Sequence, residues 1–343
     1  MFRNRAAIGT FACASLALLA GQARAQAPDA LYEAAKKEGL VTWYSVILAN
    51  EAALPLARAF EARYPGIKID HQRANTMLNA KKVIDEARAG VIKGDVFDGS
   101  TTVVPILEAG LVEPYVPPNA AAIPEQYRDA RGRWNAVLLE FLAVGYNADM
   151  VAPADVPKTR EDLLDPRWRG KMIWSSTPGF TGGGGYVANT LMDMGEEKGM
   201  AFLARLKAQE ITPHPGDGHA VIELLAARKF PLGLQIFNHH TFIERGLGHN
   251  IQWVKMEPVL SFSNNMGIVR GGPHPNAARL FVNFALSPEG QTIIRDGRHI
   301  PSSREIEALE PSLKNGFRVN YVSPVLAAEK MAGWQAAYDK IFR

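Results

Sequence analysis

Cysteine is almost absent from this chain of 343 residues, because Cys13 is the only one. Cys13 lies in a stretch typical of a secretory signal, in which Arg3 and Arg5 precede a short apolar run that ends at the small residues Ala23 to Ala25. We expect cleavage to remove residues 1–25. The remaining chain then has no thiol, no disulfide and no cysteine metal site, which suits an oxidising compartment.

An excess of charge of one sign is also absent once that stretch is removed. Three of the 38 basic residues and none of the 35 acidic residues lie in 1–25, so the remainder is formally neutral. A neutral chain without a basic cluster excludes nucleic acid as the expected partner. Beyond the signal, no run approaches the ~20 apolar residues of a membrane span. We therefore expect a periplasmic monomer.

Catalytic motifs are missing as well. The chain has no GxSxG, no HExxH and no paired spacing of carboxylates. Glu140 is the one acid inside a long apolar run, where it is either a buried glutamate satisfied by backbone donors or a group that faces a ligand. We expect a protein that is not an enzyme. A secreted hydrolase, the alternative of another class, would need a nucleophile–base pair that the sequence does not show.

The chain does have a regular alternation of strand-like and helical patterns. Leu40–Ser45 has the composition of a strand, and residues 53–64 after it carry apolar side chains at helical spacing. This alternation predicts an α/β fold with mainly parallel sheets. Two mostly apolar runs without a helical stripe, Val137–Asn147 and Val259–Gly271, are predicted to cross between two hinged lobes. The predicted lobes are 26–136 with 271–310 and 147–258 with 311–343, and the predicted crossings are 137–146 and 259–270.

Four consecutive glycines, Gly182–Gly185, follow a strand-like run and precede a helical pattern. A nucleotide-binding P-loop needs Lys-Ser or Lys-Thr after its last glycine, whereas Tyr186 and Val187 follow here. Two explanations stay open. Either the glycines let an anion approach the N–H groups at a helix start, or they form a turn chosen for tight packing.

Histidines are concentrated in one part of the chain, where five of the eight fall close together. The adjacent His239 and His240 diverge by about 100° on a helix and point to opposite sides of a strand. The cluster shows no regular ligand spacing, so a metal site and a set of surface histidines both stay open. The five are His214, His219, His239, His240 and His249.

Motifs along the mature chain resemble those of the extracellular solute-binding proteins of ABC importers. This large family includes receptors for ferric iron, spermidine, thiamine and phosphonates. The resemblance implies a two-lobe, type II-like periplasmic-binding-protein fold, a ligand cleft between the lobes, closure on binding, an ABC permease as partner and no cofactor. The segments that carry it are GLVTWYS, AFEARYPGIKID, GLVEPY, VGYNADMV, TREDLLDPRWRGKM and GGPHPNAARLFVNFALSPEGQTII.

The resemblance also implies a set of ligand-binding residues. In such proteins a glycine- or serine-rich turn of the second lobe faces the cleft, opposite loops that follow strands of the first lobe; open α/β sheets bind ligands at such loops. The turn here is Thr177 to Gly183. The candidates are Ser45, Asn75, Thr76, Ser100, Thr101, Glu140, Thr177, Thr181, Gly182, Gly183, His239 and His240.

The ferric-iron branch of the family typically carries adjacent tyrosines where this chain has His239 and His240. Imidazole suits softer divalent metals better than ferric iron. The leading hypothesis is therefore a receptor for a small anionic solute, phosphonate- or carboxylate-like, and the alternative is a receptor for ferric iron or another metal or metal chelate. If a metal is bound, these two histidines would be its ligands. A Gly183→Asp change is expected to abolish anion binding and to leave folding nearly intact.

Overall fold

The computed structural model of the protein describes residues 26–47 and 49–343. The predicted signal, 1–25, lies outside the described residues. The helices are α1 Gln26–Glu38, α2 Leu54–Arg63, α3 Thr76–Arg88, α4 Val103–Glu108, α5 Gly183–Met194, α6 Glu196–Lys207, α7 Gly218–Ala226, α8 Asn238–Gly246, α9 Pro275–Ala285, α10 Pro288–Asp296 and α11 Pro324–Phe342. The strands are β1 Leu40–Ser45, β2 Lys68–Arg73, β3 Val96–Gly99, β4 Val112–Glu113, β5 Asn135–Asn147, β6 Met172–Ser175, β7 Thr212–His214, β8 Leu232–Phe237, β9 Ile251–Val254, β10 Val259–Val269, β11 Ile300–Pro301 and β12 Val319–Tyr321.

The main strands form one sheet in the order β2-β1-β3-β10-β5-β8-β6-β7. One end of it, β2-β1-β3, is parallel, and so is the other end, β8-β6-β7. The predicted α/β fold with mainly parallel sheets is confirmed. Helices cover both faces, which is the arrangement that parallel strands require. The chain boundaries of the two lobes stay a prediction.

The two apolar runs without a helical stripe are the central strands β5 and β10. They pair antiparallel with each other, from Leu142 opposite Leu260 to Asn135 opposite Met266, and so join the two parallel ends. Every residue of β10 is buried, and nearly every residue of β5 is. Strands that are covered on both faces have no polar alternation, and this explains their nearly continuous apolar sequence.

The two largest apolar cores of the described residues lie toward the two ends of the sheet. Beside β1, Trp43 packs edge-on against Phe281 of α9, and Phe60 of α2 does the same. Beside β6, Trp174 packs against Tyr186 of α5 and against the C-terminal helix α11 through Tyr338. Within the described residues, no helix is both long enough and apolar enough to cross a membrane.

Candidate ligand-binding cleft

A cavity of about 580 Å³ opens between the two parallel ends of the sheet, at the carboxyl ends of their strands. This is the size expected for a small-molecule site and the place where open α/β sheets bind ligands. The loops after β2 and β3 line one side, the loop after β6 and the start of α7 line the other, and the floor is aromatic. The lining residues are Val46, Arg73, Ala74, Asn75, Thr76, Ser100, Thr101, Pro178, Gly179, Phe180, Thr181, Asp217, Phe237, Phe262 and Met331.

Five of the predicted ligand-binding residues line this cavity: Asn75, Thr76, Ser100, Thr101 and Thr181. Asn75 is the N-cap of α3, and its side-chain oxygen accepts a hydrogen bond from the backbone N–H of Leu78 at 2.9 Å. The Asn75 amide NH₂ and the four hydroxyls thus offer neutral donors to the cavity. Contact of these residues with a ligand stays a prediction.

Ser45, also a predicted ligand contact, is fully buried beneath the loop that carries Val46 into the cleft. Its hydroxyl oxygen accepts the N–H of Ile47 at 3.0 Å, and the buried carboxylate of Asp98 accepts the N–H of Val46 at 3.0 Å. Burial raises the pKa of Asp98 to about 6, against the opposing effect of the hydrogen bonds that its carboxylate accepts, that of Val46 among them. The geometry makes Ser45 a support of the cleft loop, outside its lining.

The glycine run lies beside the cleft, and none of the four glycines lines it. Gly182 is the N-cap of α5, and Gly183 begins the helix. A Cβ atom on Gly182 would overlap the carbonyl oxygen of Thr177, and one on Gly183 would lie against the ring of Tyr338. Close packing therefore explains these glycines. The expectation that Gly183→Asp leaves folding intact is wrong, because α11 leaves no room for a side chain there.

The floor of the cleft is built from three phenylalanines. Phe180 and Phe262 stack with ring centroids 4.3 Å apart and planes 7° from parallel, and Phe237 lies 6.3 Å from Phe262. Phe262 belongs to the central strand β10, so the floor rests on the strands that join the two ends of the sheet. Such a floor suits the apolar part of a solute.

Thr177, also a predicted ligand contact, does not line the cavity, and its hydroxyl lies 2.6 Å from that of Ser175. The last three predicted residues, Glu140, His239 and His240, belong to a partly buried group that we call the histidine–glutamate cluster. Its six members are Glu51, Glu140, His219, His239, His240 and His299. Glu140 Oε2 lies 3.8 Å from His239 Nδ1, and Glu51 Oε2 lies 3.1 Å from His299 Nε2. The ring centroids are 4.5 Å apart for His239–His240, 5.1 Å for His219–His240 and 5.6 Å for His239–His299.

Burial controls the charges in this cluster. It raises the pKa of Glu140 to about 7. It lowers the pKa of His239 well below the ordinary value and, helped by the neighbouring histidines, lowers that of His240 to about 3. A hydrogen bond with His299 lowers the pKa of Glu51. Near neutral pH the two buried imidazoles, on His239 and His240, are therefore uncharged.

A metal site does not form from this cluster as it stands. Across 26–47 and 49–343, no three or more side chains of histidine, cysteine, aspartate or glutamate are placed to hold a metal ion. His239 and His240 both lie in the first turn of α8 with their rings in edge-on contact. Ligation of a metal by this pair stays a prediction.

Sequence reasoning missed the charged residues of the cleft, Arg73 and Asp217. Arg73 is the last residue of β2, and its exposed side chain has no hydrogen-bond or ion-pair partner among the described residues. Asp217 faces the cleft from the other side as the N-cap of α7, where Oδ1 accepts the N–H groups of His219 and Ala220. The signal available in the sequence was the Arg73-Ala74-Asn75-Thr76 junction, where a cation lies two residues before a helix cap.

Comparison with known proteins gives consistent matches. Residues 95–323 match the family model described as bacterial extracellular solute-binding protein. A Serratia marcescens protein named Fe(3+)-binding periplasmic protein is 25% identical over 241 residues, covering 67% of this chain and 69% of that protein. A Salmonella typhimurium protein named putative 2-aminoethylphosphonate-binding periplasmic protein is 23% identical over 230 residues, covering 65% and 64%.

The fold also matches a solved structure. Iron-bound HitA from Pseudomonas aeruginosa has a TM-score of 0.73 at 21% identity, and the match covers 87% of this chain and 99% of that one. At this identity the likeness establishes the shared fold and nothing about the ligand. The curated relatives are matched over about two thirds of their length.

Proposed function

The chain belongs to the bacterial extracellular solute-binding protein family, and we propose that it captures a small organic anion in the cleft and delivers it to an ABC permease. The observation that carries this proposal is the guanidinium of Arg73, which has no partner among the described residues and stands with neutral donors at the cleft wall. An unpaired arginine beside hydroxyl and amide groups provides fork-shaped recognition of a carboxylate or phosphonate.

The free energy expected from hydrogen bonds in the cleft is large enough to hold an anion. A charge-assisted hydrogen bond contributes roughly 1.5–3 kcal/mol. A few such bonds from Arg73, Thr76 and Ser100 would give micromolar binding or better after the cost of ordering the solute is met. The proposed ligand is a small acid with an apolar body, because the cleft holds about 580 Å³ over its phenylalanine floor.

A receptor for ferric iron is the second candidate. The name of the Serratia relative favours it, and the name of the Salmonella relative favours an organophosphorus anion. Within 26–47 and 49–343, the residues that line the cleft include a single carboxylate, Asp217, and no histidine, tyrosine or cysteine. Ferric iron prefers several hard oxygen ligands, so this lining suits an organic anion better.

The proposal also covers the location of the protein, its oligomeric state and its lack of enzymatic activity. A periplasmic location agrees with the names of the relatives and with the signal expected at 1–25, which we propose is cleaved. We propose a monomer whose lobes close on the solute. We also propose that it is not an enzyme, because the hydroxyls of the cleft have no histidine beside them in the lining to act as a base.

Replacing Arg73 tests the proposal. Calorimetry with propylphosphonate, butyrate and propanesulfonate should show binding of at least one of them to the wild-type protein, after removal of any co-purified solute. Arg73→Gln should weaken that binding at least about tenfold. Arg58→Gln, which changes an exposed arginine of α2 outside the cleft lining, is the matched control. Equal affinity of the Arg73 variant, or no binding of any of the three anions, would count against the proposal.

A further inference from the structure

Gln235 has an unusual backbone conformation in the middle of a buried strand. Its φ angle is 59°, in the left-handed region, although the residue belongs to β8 and is only 3% exposed. In the part of the chain that the structure describes, the other residues apart from glycine with such a φ follow helix ends: Glu210, Arg228 and Arg298. This conformation crowds the Cβ atom against the backbone, and such strain is concentrated at functional sites.

The left-handed conformation of Gln235 accompanies a β-bulge. The pairing of β8 with β5 shifts register between Ile236 and Gly233, where two residues of β8 stand opposite one residue of β5. One extra residue reverses the side to which the later side chains of a strand point. The bulge therefore decides that Phe237, two residues further on, reaches the floor of the cleft. Bulges beside functional sites commonly re-aim a side chain in this way.

The side chain of Gln235 contacts the Phe180 loop, as we call residues 177–182 between β6 and α5. Its Nε2 donates a hydrogen bond to the backbone carbonyl oxygen of Phe180 at 3.1 Å, and both residues are buried. No other group of the described residues donates to this carbonyl. The backbone of Gly185 covers the bond, since a Cβ atom there would overlap the Phe180 oxygen and lie 2.9 Å from Gln235 Nε2. Removal of the donor would therefore leave a buried carbonyl without a partner.

The Phe180 loop supplies one wall of the cleft and part of its floor. Residues 178–181 all line the cleft, and they include the hydroxyl of Thr181 and the Phe180 ring that stacks on Phe262. No atom packs against the Cβ position of Gly179 within the described residues, so the tip of the loop has little packing of its own. The hydrogen bond of Gln235 ties the middle of the loop to β8. The positions of the ring and the hydroxyl therefore depend on that bond.

We propose that Gln235 is a positioning residue of the cleft, whose side-chain amide holds the Phe180 loop in the position that the solute requires. The inference rests on the proposed function, because the loop position matters to affinity only if the cleft binds a solute. Gln235 is not among the described residues that line the cleft, so it acts through Phe180 and Thr181. The strained backbone of Gln235 is tolerated because it brings the amide to the loop.

Two variants of similar volume separate the hydrogen bond from the packing of the side chain. Gln235→Glu replaces the donor with a carboxylate at alkaline pH, whereas its protonated carboxyl group donates again at acidic pH. Gln235→Met has no donor at any pH. Calorimetry with propylphosphonate, butyrate and propanesulfonate on solute-free protein gives the Kd of each variant relative to wild type at the same pH. Both variants should bind at least about tenfold more weakly at about pH 8.5, and only Gln235→Glu should recover to within about threefold at about pH 5.5.

Gln209→Glu is the matched control, because Gln209 is also buried and its Nε2 donates to a backbone carbonyl, that of Leu164 at 2.8 Å, outside the cleft lining. This variant should bind the anions as wild type does at both pH values. Hydrogen exchange adds a measurement that needs no solute. The N–H of Gly185 donates to the loop carbonyls of Gly179 and Gly182, and Gln235→Met should speed its exchange at least about tenfold.

The outcomes separate this inference from the proposed function. Wild-type affinity in Gln235→Met would overturn the positioning role and leave the anion receptor standing. An equal loss of affinity at both pH values in Gln235→Glu and Gln235→Met would also overturn it, because packing alone would then explain the effect. Unchanged exchange of Gly185 in Gln235→Met would contradict the inference whatever the solute. Binding of none of the three anions to the wild-type protein would contradict the anion receptor and the inference together.

Discussion

Around the glycine run, every position that a Cβ atom would take already has a close neighbour, from the carbonyl oxygen of Thr177 to the ring of Tyr338. Around Glu140 and His239, by contrast, buried nitrogen and oxygen atoms have no hydrogen-bond partner in the part of the chain that the structure describes. Both regions drew attention in the sequence, and both are buried. The difference teaches that burial alone does not identify a role: the close packing of the glycines indicates a structural role, and the buried titratable groups of the cluster are sensitive to pH. Substitutions should therefore cost stability in the first region and change the pH dependence of stability in the second.

The largest expected effect is in the glycine run. Gly183→Asp should destabilise the protein by more than about 3 kcal/mol, because overpacking combines here with the burial of a charge against Tyr338. The measurement is the free energy of unfolding from denaturant titration. Gly333→Ala, in α11 with open space around its Cβ position, is the control and should gain up to about 1 kcal/mol. A Gly183 variant of unchanged stability would remove the packing explanation.

A smaller change of opposite sign in the free energy of unfolding is expected when Glu140 of the histidine–glutamate cluster is replaced. The pKa of Glu140 in the folded protein, about 7, lies above its ordinary value of 4.5. The folded state therefore holds this proton more tightly, and stability is lost as the pH rises from about 4.5 through 7. Glu140→Gln removes that loss. Without ligand, it should stabilise the protein by on the order of 1–3 kcal/mol at pH 8 and by nothing at pH 4. Destabilisation at pH 8 would show that the carboxylate already has a partner.

The smallest effect is expected at His240. Its pKa in the folded protein, about 3, lies below the ordinary 6.5, so the unfolded chain binds the proton more tightly. Stability from the neutral imidazole is present above pH 6.5 and is lost as the pH falls below it. His240→Gln should therefore gain about 1–2 kcal/mol relative to wild type at pH 5 and nothing at pH 8. A gain that is equal at both pH values would contradict the buried neutral histidine.

Much of the fold was predictable because it depends on local patterns. The alternation of strand and helix patterns indicated the α/β class, and the central strands stood out as apolar runs without a helical stripe. The sequence did not reveal that these two central strands pair with each other. Asn135 and Met266 are far apart in the sequence, and no local pattern specifies which long strands lie side by side.

The residues of the candidate site that follow strands could be predicted from the sequence. Those whose role depends on contacts with residues far away in the sequence could not. Asn75, Ser100 and Thr181 follow strands, so their place in the cleft agreed with the topology. The packing role of Gly183 depends on Tyr338, which no pattern near the glycines reveals. Arg73 was missed because a charged residue at the end of a strand resembles an ordinary solvent-exposed one.

The convergence of the histidines is the clearest case of tertiary structure overriding a local expectation. The rings of His239 and His240 lie 4.5 Å apart although the residues are adjacent on a helix, and His219 and His299 approach one ring each from other parts of the chain. No property of the His239-His240 pair itself predicts that Glu140, on a central strand, reaches the same cluster.

Native mass spectrometry of the exported protein, purified without unfolding, tests the central claim most directly. We predict a retained small molecule that carries an acid group, and its loss from Arg73→Gln but not from Arg58→Gln. Retention of a metal ion without an organic anion, or of the same solute at equal occupancy in Arg73→Gln, would contradict an anion receptor built around this cleft.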